Sequence, residues 1–234
     1  MGDRDFLRLI ARRTFTYFLD HLSRDPRSAG IPQDRSTFND LLTVGGLGFS
    51  LSALCLADAE GWMSHDEAVT RIHQTLAILA DDSRQSPSAK GAIGYRGFFY
   101  HFLNVDGRRK LNFNRTETPE DESLNTVELS TIDTALALMG VIAAKQHFRG
   151  DSPQERQIRA FADHILSRVE WPFMRRNAPT PANKQHQFYL GWKPNERRAK
   201  EPPFEIPDAA RLGAYSGRLM HVCSAIAAKS PSHT

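Results

Sequence analysis

Apolar residues recur at helical spacing in the first segment, from about Asp3 to Arg24: Phe6, Leu9, Ile10, Phe15, Phe18, Leu19 and Leu22, with Arg and Asp between them. That period predicts an amphipathic helix. Asp25-Pro26 and Ser28-Ala29-Gly30 break it, and the irregular loop GIPQDRSTFND follows over 30–40. A second helix is expected over Leu41–Glu60. A third runs from Ser64 to about Asp82, opened by the capping box Ser64-x-x-Glu67, with Val69, Ile72, Leu76 and Leu79 on its inner stripe.

Beyond a polar loop at 83–90 the pattern changes. Tyr95, Phe98, Phe99, Tyr100 and Phe102 cluster, and Val105-Asp106-Gly107-Arg108-Arg109 reads as a hairpin turn with an Asp-Gly signal. This predicts a short β-excursion. Residues 114–126 are polar and acidic. The next stretch, Val127–Ala144, is nearly all apolar after Asp133, and a helix apolar on every side is buried all round. Another amphipathic helix is expected over Ser152–Val169, with Pro153 at its first position. Glu170-Trp171-Pro172-Phe173 ends it. A loop then carries a possible short strand at 188–192, and a last helix is expected over Asp208–Ala228. About six long helices with little strand make the class mainly α, and long loops between paired helices suggest a toroid or solenoid-like array.

The run Gly45-Gly46-Leu47-Gly48 invites a phosphate-loop reading, but its spacing matches neither common glycine fingerprint. Glycines in an Ala/Ser/Leu run point instead to close helix packing. Candidate chemistry lies at the mouth of the Val127–Ala144 helix, where Glu128 and Asp133 stand together. Ser130-x-x-Asp133 also fits a capping-box variant, so Asp133 has two explanations and Glu128 one. Asp34, Arg35 and Asp40 sit in the first loop, where rigid elements commonly hold binding residues. Turn chemistry and surface ion pairing are the alternatives for them, Asp40 above all. The exposed-aromatic reading of the 95–102 cluster competes with a local hydrophobic cluster.

Composition changes little. The chain of 234 residues carries a formal net charge of +3, with 40% hydrophobic and 24% charged residues. No basic–aromatic stripe supports nucleic-acid binding, and no run of about 18 apolar residues supports a membrane span. Cys55 and Cys223 each sit in an apolar helical context and lack metal spacing, so buried thiols are expected and no metal or cofactor. Arg12-Arg13-Thr14-Phe15 resembles a twin-arginine signal, but no apolar region follows. The pair reads as a polar helix face, with no export signal in the chain and the compartment left open.

Several phrases taken in order resemble one family: RRTFTYFLDHL (12–22), GIPQDR (30–35), GLGFSLSALCLADAEGW (46–62), GFFYHFLNVDGRR (97–109), VELSTIDTALALMGVI (127–142), VEWPF (169–173) and YLGWKP (189–194). They resemble the glucoamylase-like glycoside hydrolases that include bacterial endo-β-1,2-glucanases and the related segment of cyclic β-1,2-glucan synthases. The resemblance implies an (α/α)6 barrel and hydrolysis of a β-linked glucan, an oligo- or polysaccharide partner, by carboxylates at one mouth. It implies catalytic roles for Glu128 and Asp133. It implies substrate contacts for Asp34, Arg35, Asp40, Phe98, Phe99, Tyr100, His101 and Trp192. About twelve helices of ~15–18 residues with their connections need a longer chain, so one domain over 1–234 holding half of such a barrel is expected. An unpaired inner face would then favour self-association.

Overall fold

The computed structural model describes residues 2–37, 40–87, 92–110, 127–175 and 188–192. The first helix, α1 (Asp3–His21), buries only Phe15, while Phe6, Leu7, Leu9 and Ile10 stay exposed. Its amphipathic pattern is therefore real but largely unpartnered. The loop behind it folds back on itself. Gln33 bridges Leu42, the Asp34 amide donates to the Leu41 carbonyl, and Thr43 donates to Pro32.

Five long helices are described. α2 (Val44–Ala59) and α4 (Thr131–His147) pack most closely on each other, while α3 (His65–Ala80) packs on α5 (Pro153–Ser167). The first pair forms an inner layer and the second an outer one, with α2 against α3 and α4 against α5. The caps follow the sequence: Ser64 accepts from the Glu67 amide, Ser130 from Asp133 and Ser152 from Glu155. The glycines of α2 do what their context suggests. A Cβ on Gly48 would stand 1.9 Å from the Leu136 carbonyl oxygen, and one on Gly140 would stand 2.5 Å from the Gly48 Cα. Only hydrogen fits at this crossing, so α2 and α4 approach backbone to backbone.

The β-excursion is larger than expected. Strands β2 (Gly94–Tyr95), β3 (Phe98–Tyr100), β5 (Leu129–Ser130) and β6 (Gly191–Trp192) form an antiparallel sheet in the order β2-β3-β5-β6. A second pair joins β1 (Leu42–Thr43) to β4 (Phe102–Leu103). One expected helix start is corrected here: α2 begins at Val44 rather than Leu41, because Leu42-Thr43 is a strand. Leu129-Ser130 is a strand too, leading into the helix start marked by the Ser130 cap, and both strands exist because their backbones pair with the 98–103 segment. Trp171–Met174 is a short helix, α6, rather than a bare terminator. The helix expected over 208–228, and Cys223, lie outside the described residues. Cys55 is buried and free, and burial pushes its thiol up to about 12. Among the described residues no helix is long and apolar enough to cross a membrane.

Candidate functional site

The strands bring the N-termini of α2 and α4 to one place. The Val44 amide, at the start of α2, donates to the His101 carbonyl at 3.1 Å, and the His101 amide donates to the Glu128 carbonyl at 3.0 Å. His101 is thus stitched between the residue opening α2 and the strand that leads into α4. Its ring stacks on Phe102, with centroids 3.8 Å apart. That ring separates the two predicted acids. Nδ1 lies 3.0 Å from Glu128 Oε1, and Nε2 lies 3.6 Å from Asp133 Oδ2. All three side chains keep some exposure, at 30% for His101, 26% for Glu128 and 15% for Asp133. They are reachable by solvent yet partly desolvated.

Burial pushes the His101 imidazole down, but the Glu128 hydrogen bond and the charges of Asp133, Glu128 and Asp34 outweigh it. The net effect holds its pKa above the ordinary histidine value. Asp34 therefore belongs to the same electrostatic neighbourhood, although its carboxylate also accepts from the Arg35 Nε at 2.8 Å. Arg35 is exposed beside it.

Both explanations of Asp133 hold. Its amide donates to Ser130 Oγ at 3.2 Å, and the Ser130 hydroxyl donates back to its carboxylate. The carboxylate sits in the first turn of α4, where the helix dipole favours a negative charge. It also faces His101 and the first turn of α2. A Cβ at Gly45 would stand 2.2 Å from Asp133 Oδ1, so Gly45 leaves the room that carboxylate fills.

The structure separates the remaining candidates. Asp40 is exposed and lies 3.4 Å from Lys110 Nζ, a surface ion pair as its alternative reading had it. Phe98, Phe99 and Tyr100 have no exposed surface, and Trp192 retains 4%. The expectation that these four contact substrate is corrected: they are core. Phe98 packs edge-on against Trp171 at 5.6 Å, and Trp192 packs on Tyr95 and Phe173 at 5.5 Å. Tyr100 donates to the Ser86 carbonyl at 3.2 Å, and burial pushes its phenol up to about 12. Their work is to hold β3 and β5, and so His101 and Glu128, in register.

Sequence reasoning missed three supports. Arg109 is buried. Its Nε donates to the Val127 carbonyl at 2.7 Å and its guanidinium lies 4.5 Å from the Tyr100 ring centroid, anchoring the residue before Glu128. Thr134 Oγ1 accepts from the Phe99 amide at 2.9 Å and donates to the Ser130 carbonyl at 2.6 Å, tying β3 to α4. At the opposite end of the inner pair, Asp58 accepts from His147 at 2.6 Å and from His65 at 3.1 Å, and His65 Nε2 stands 3.6 Å from Glu155. This cluster joins the ends of α2, α3, α4 and α5 and lies away from His101. Among the described residues no group of acids, histidines and cysteines is arranged to hold a metal ion.

Comparison with known proteins bears on the fold. No family model matches the chain. A curated relative, an exo-β-1,2-glucooligosaccharide sophorohydrolase (non-reducing end) of Parabacteroides distasonis, is 22% identical over 196 residues, which is 84% of this chain and 24% of the relative. A candidate glucoamylase of Bacteroides uniformis superposes with a TM-score of 0.71 at 21% identity, over 99% of this chain and 48% of that one. An endo-β-1,2-glucanase of Chitinophaga pinensis, solved with sophorotriose and glucose, gives 0.67 at 18% identity, over 100% and 48%. The fold is therefore that of these glucanase and glucoamylase-like proteins, and the resemblance carried by the sequence phrases is the same one. The chain spans about half the length of those solved structures and about a quarter of the curated relative.

Proposed function

We propose that this chain acts on a β-linked glucan, β-1,2-linked in particular, with Glu128, Asp133 and His101 at the centre of its site. The observation that carries the reading is one imidazole held between two carboxylates where α2 and α4 begin. The support from outside the site is the shared fold with proteins named for β-1,2-glucan hydrolysis.

Glycoside hydrolysis needs a proton for the departing oxygen and a carboxylate to activate water or attack the anomeric carbon. In this reading Glu128 serves as the general acid, or as the group that acts on water, and His101 positions its carboxyl through the hydrogen bond between Nδ1 and Oε1. Asp133 is fixed by Ser130 and by the helix start, which suits it to orient sugar hydroxyls. Asp34, whose charge acts on His101, and Arg35 paired with it serve as polar contacts for the sugar.

The test is release of reducing ends from a panel of β-linked glucans. Removing a general acid typically costs about 10²–10⁴-fold in rate. Glu128→Gln is expected to lose at least about 100-fold with an unchanged far-UV spectrum. Equal rates in both proteins would overturn the assignment.

A second reading has its own observation. The chain matches only 48% of each of two solved relatives, so it carries part of their length. In that reading the half-site binds glucan without cleaving it. Calorimetry with a β-1,2-glucooligosaccharide separates the two, because binding without product formation selects the second.

A further inference from the structure

Asp58 sits in the last turn of α2, the negative end of that helix, where a carboxylate is disfavoured. Only 11% of its side chain is exposed. Two imidazoles meet it there. His147, the last residue of α4, places Nε2 2.6 Å from Oδ2. His65, the first residue of α3, places Nδ1 3.1 Å from each carboxylate oxygen. The other ring nitrogen of His65 stands 3.6 Å from Oε1 of Glu155, in the first turn of α5. A neutral imidazole has one N–H and serves one acceptor, whereas an imidazolium presents an N–H at both nitrogens. Only the charged form of His65 therefore answers both acids.

We infer that this cluster is a pH-operated clasp. While its histidines carry charge it pins the ends of α2 and α4 to the starts of α3 and α5, and when they lose their protons those ends come free. The rest of the frame stays together, because the Gly48–Gly140 crossing and the buried core hold it independently. The clasp lies away from His101, and it stands apart from the reaction proposed above.

The surrounding charges agree with this. The hydrogen bond to Asp58 outweighs burial and holds the His65 pKa above the ordinary histidine value, with Glu155 and Asp66 adding to it. Burial pushes the Asp58 carboxyl up, but the bonds from His147 and His65 outweigh it and hold it below the ordinary carboxylate value. The Ser152 hydroxyl and the Gly150 amide hold Glu155 low as well. Cys55, one turn back on α2, is pushed up to about 12 and stays protonated. The nearby cations are engaged elsewhere: Lys145 of α4 binds Asp163, Arg149 binds Gln146, and Arg159 of α5 donates to the Phe148 and Gly150 carbonyls. Glu67 pairs with Arg71 within α3, and Glu60 and Asp151 are exposed. The His65 contribution is full below the unfolded value of about 6.5 and is lost as pH rises through the folded value. The Asp58 and Glu155 contributions are present above about 4 and are lost as pH falls through their folded values. The clasp is therefore closed in mild acid and opens in alkali.

Hydrogen exchange of the whole chain, read by mass spectrometry and corrected for the intrinsic pH dependence of amide exchange, tests this at pH 6 and pH 9. Asp58→Asn keeps an acceptor for one imidazole and removes the charge. At pH 6, peptides over 55–63 and 144–150 are expected to open at least about threefold more often in Asp58→Asn than in wild type, and at pH 9 the two proteins should converge. His65→Gln, which donates without charge, is expected to show the same convergence and decides the matter if Asp58→Asn does not fold. Equal opening at pH 6, or a difference that persists undiminished at pH 9, would overturn the inference. So would an effect as large in peptides around Gly48, because the loss would then be global rather than local to the clasp.

Discussion

The spacing of α2 and α4 sets the width of the candidate site, and one substitution tests what sets the spacing. In Gly48→Ala the new Cβ would lie 1.9 Å from the Leu136 carbonyl oxygen and 3.3 Å from the Ala137 Cα. Backbone cannot rotate aside as a side chain would, so the helices must separate by about 1 Å or more. A gap of that size forfeits roughly a quarter to a half of each dispersion contact across the seam. The contacts at risk include the fully buried Leu47, Leu51, Leu138 and Val141. Overpacking of this kind costs about 1–3 kcal/mol. Alanine returns about 1 kcal/mol through its better helix propensity. Because the clash is with backbone, the upper end applies, and we expect a net loss of about 2 kcal/mol. For a domain of this size that lowers Tm by about 4–8 °C. Thermal unfolding followed by far-UV circular dichroism reads it directly. Ser52→Ala, one turn along the same helix and exposed, serves as the comparison. It removes only a hydroxyl bond to the Gly48 carbonyl and should stay within about 0.5 kcal/mol. A Gly48→Ala protein as stable as wild type, or more so, would refute the backbone-contact reasoning.

Other expectations follow from single groups. His101 has a raised pKa in the folded chain, so its stabilising contribution is full below the unfolded value of about 6.5 and is lost as pH rises through the folded value. Urea unfolding of wild type and His101→Gln should therefore differ most in acid and converge in alkali; a gap that widens with pH would contradict the assignment. Thr134→Val leaves the buried Phe99 amide without its acceptor and should cost about 1–3 kcal/mol, with Thr134→Ser retaining most of the loss-free behaviour. Cys55, buried and with its thiol pushed up to about 12, should resist alkylation near pH 8 in a Cys223→Ser background and react at once in denaturant. Rapid labelling of the native chain would show that α2 is less well packed than described.

Much of this was legible in the residues because it is local. The helix periods, the caps at Ser64, Ser130 and Ser152, and the Asp-Gly turn at 106–107 each depend on neighbours a few positions away. The close-packing role of Gly48 followed from its apolar surroundings, and Glu128 stood out because no cap explained it. What escaped depends on distant partners. Two-residue strands such as Leu42-Thr43 and Leu129-Ser130 are too short to show a period and exist only because the 98–103 segment pairs with them. Phe98, Phe99, Tyr100 and Trp192 read equally as ligand platforms or as core, since burial is decided by elements far along the chain. Arg109 looked like a turn residue, yet it is buried against Tyr100 and Val127. The clasp of Asp58, His65, His147 and Glu155 unites residues from four helices, and no spacing announces it.

The central claim is that Glu128 delivers a proton to a glucan within a site built on His101 and Asp133. Proton NMR of a β-1,2-linked trisaccharide incubated with the chain tests it most directly, because anomeric signals of substrate and product are resolved in one tube. The account predicts product signals that grow with wild type and stay at background with Glu128→Gln, the two proteins giving the same far-UV spectrum. Product growing at the same rate with both would contradict it.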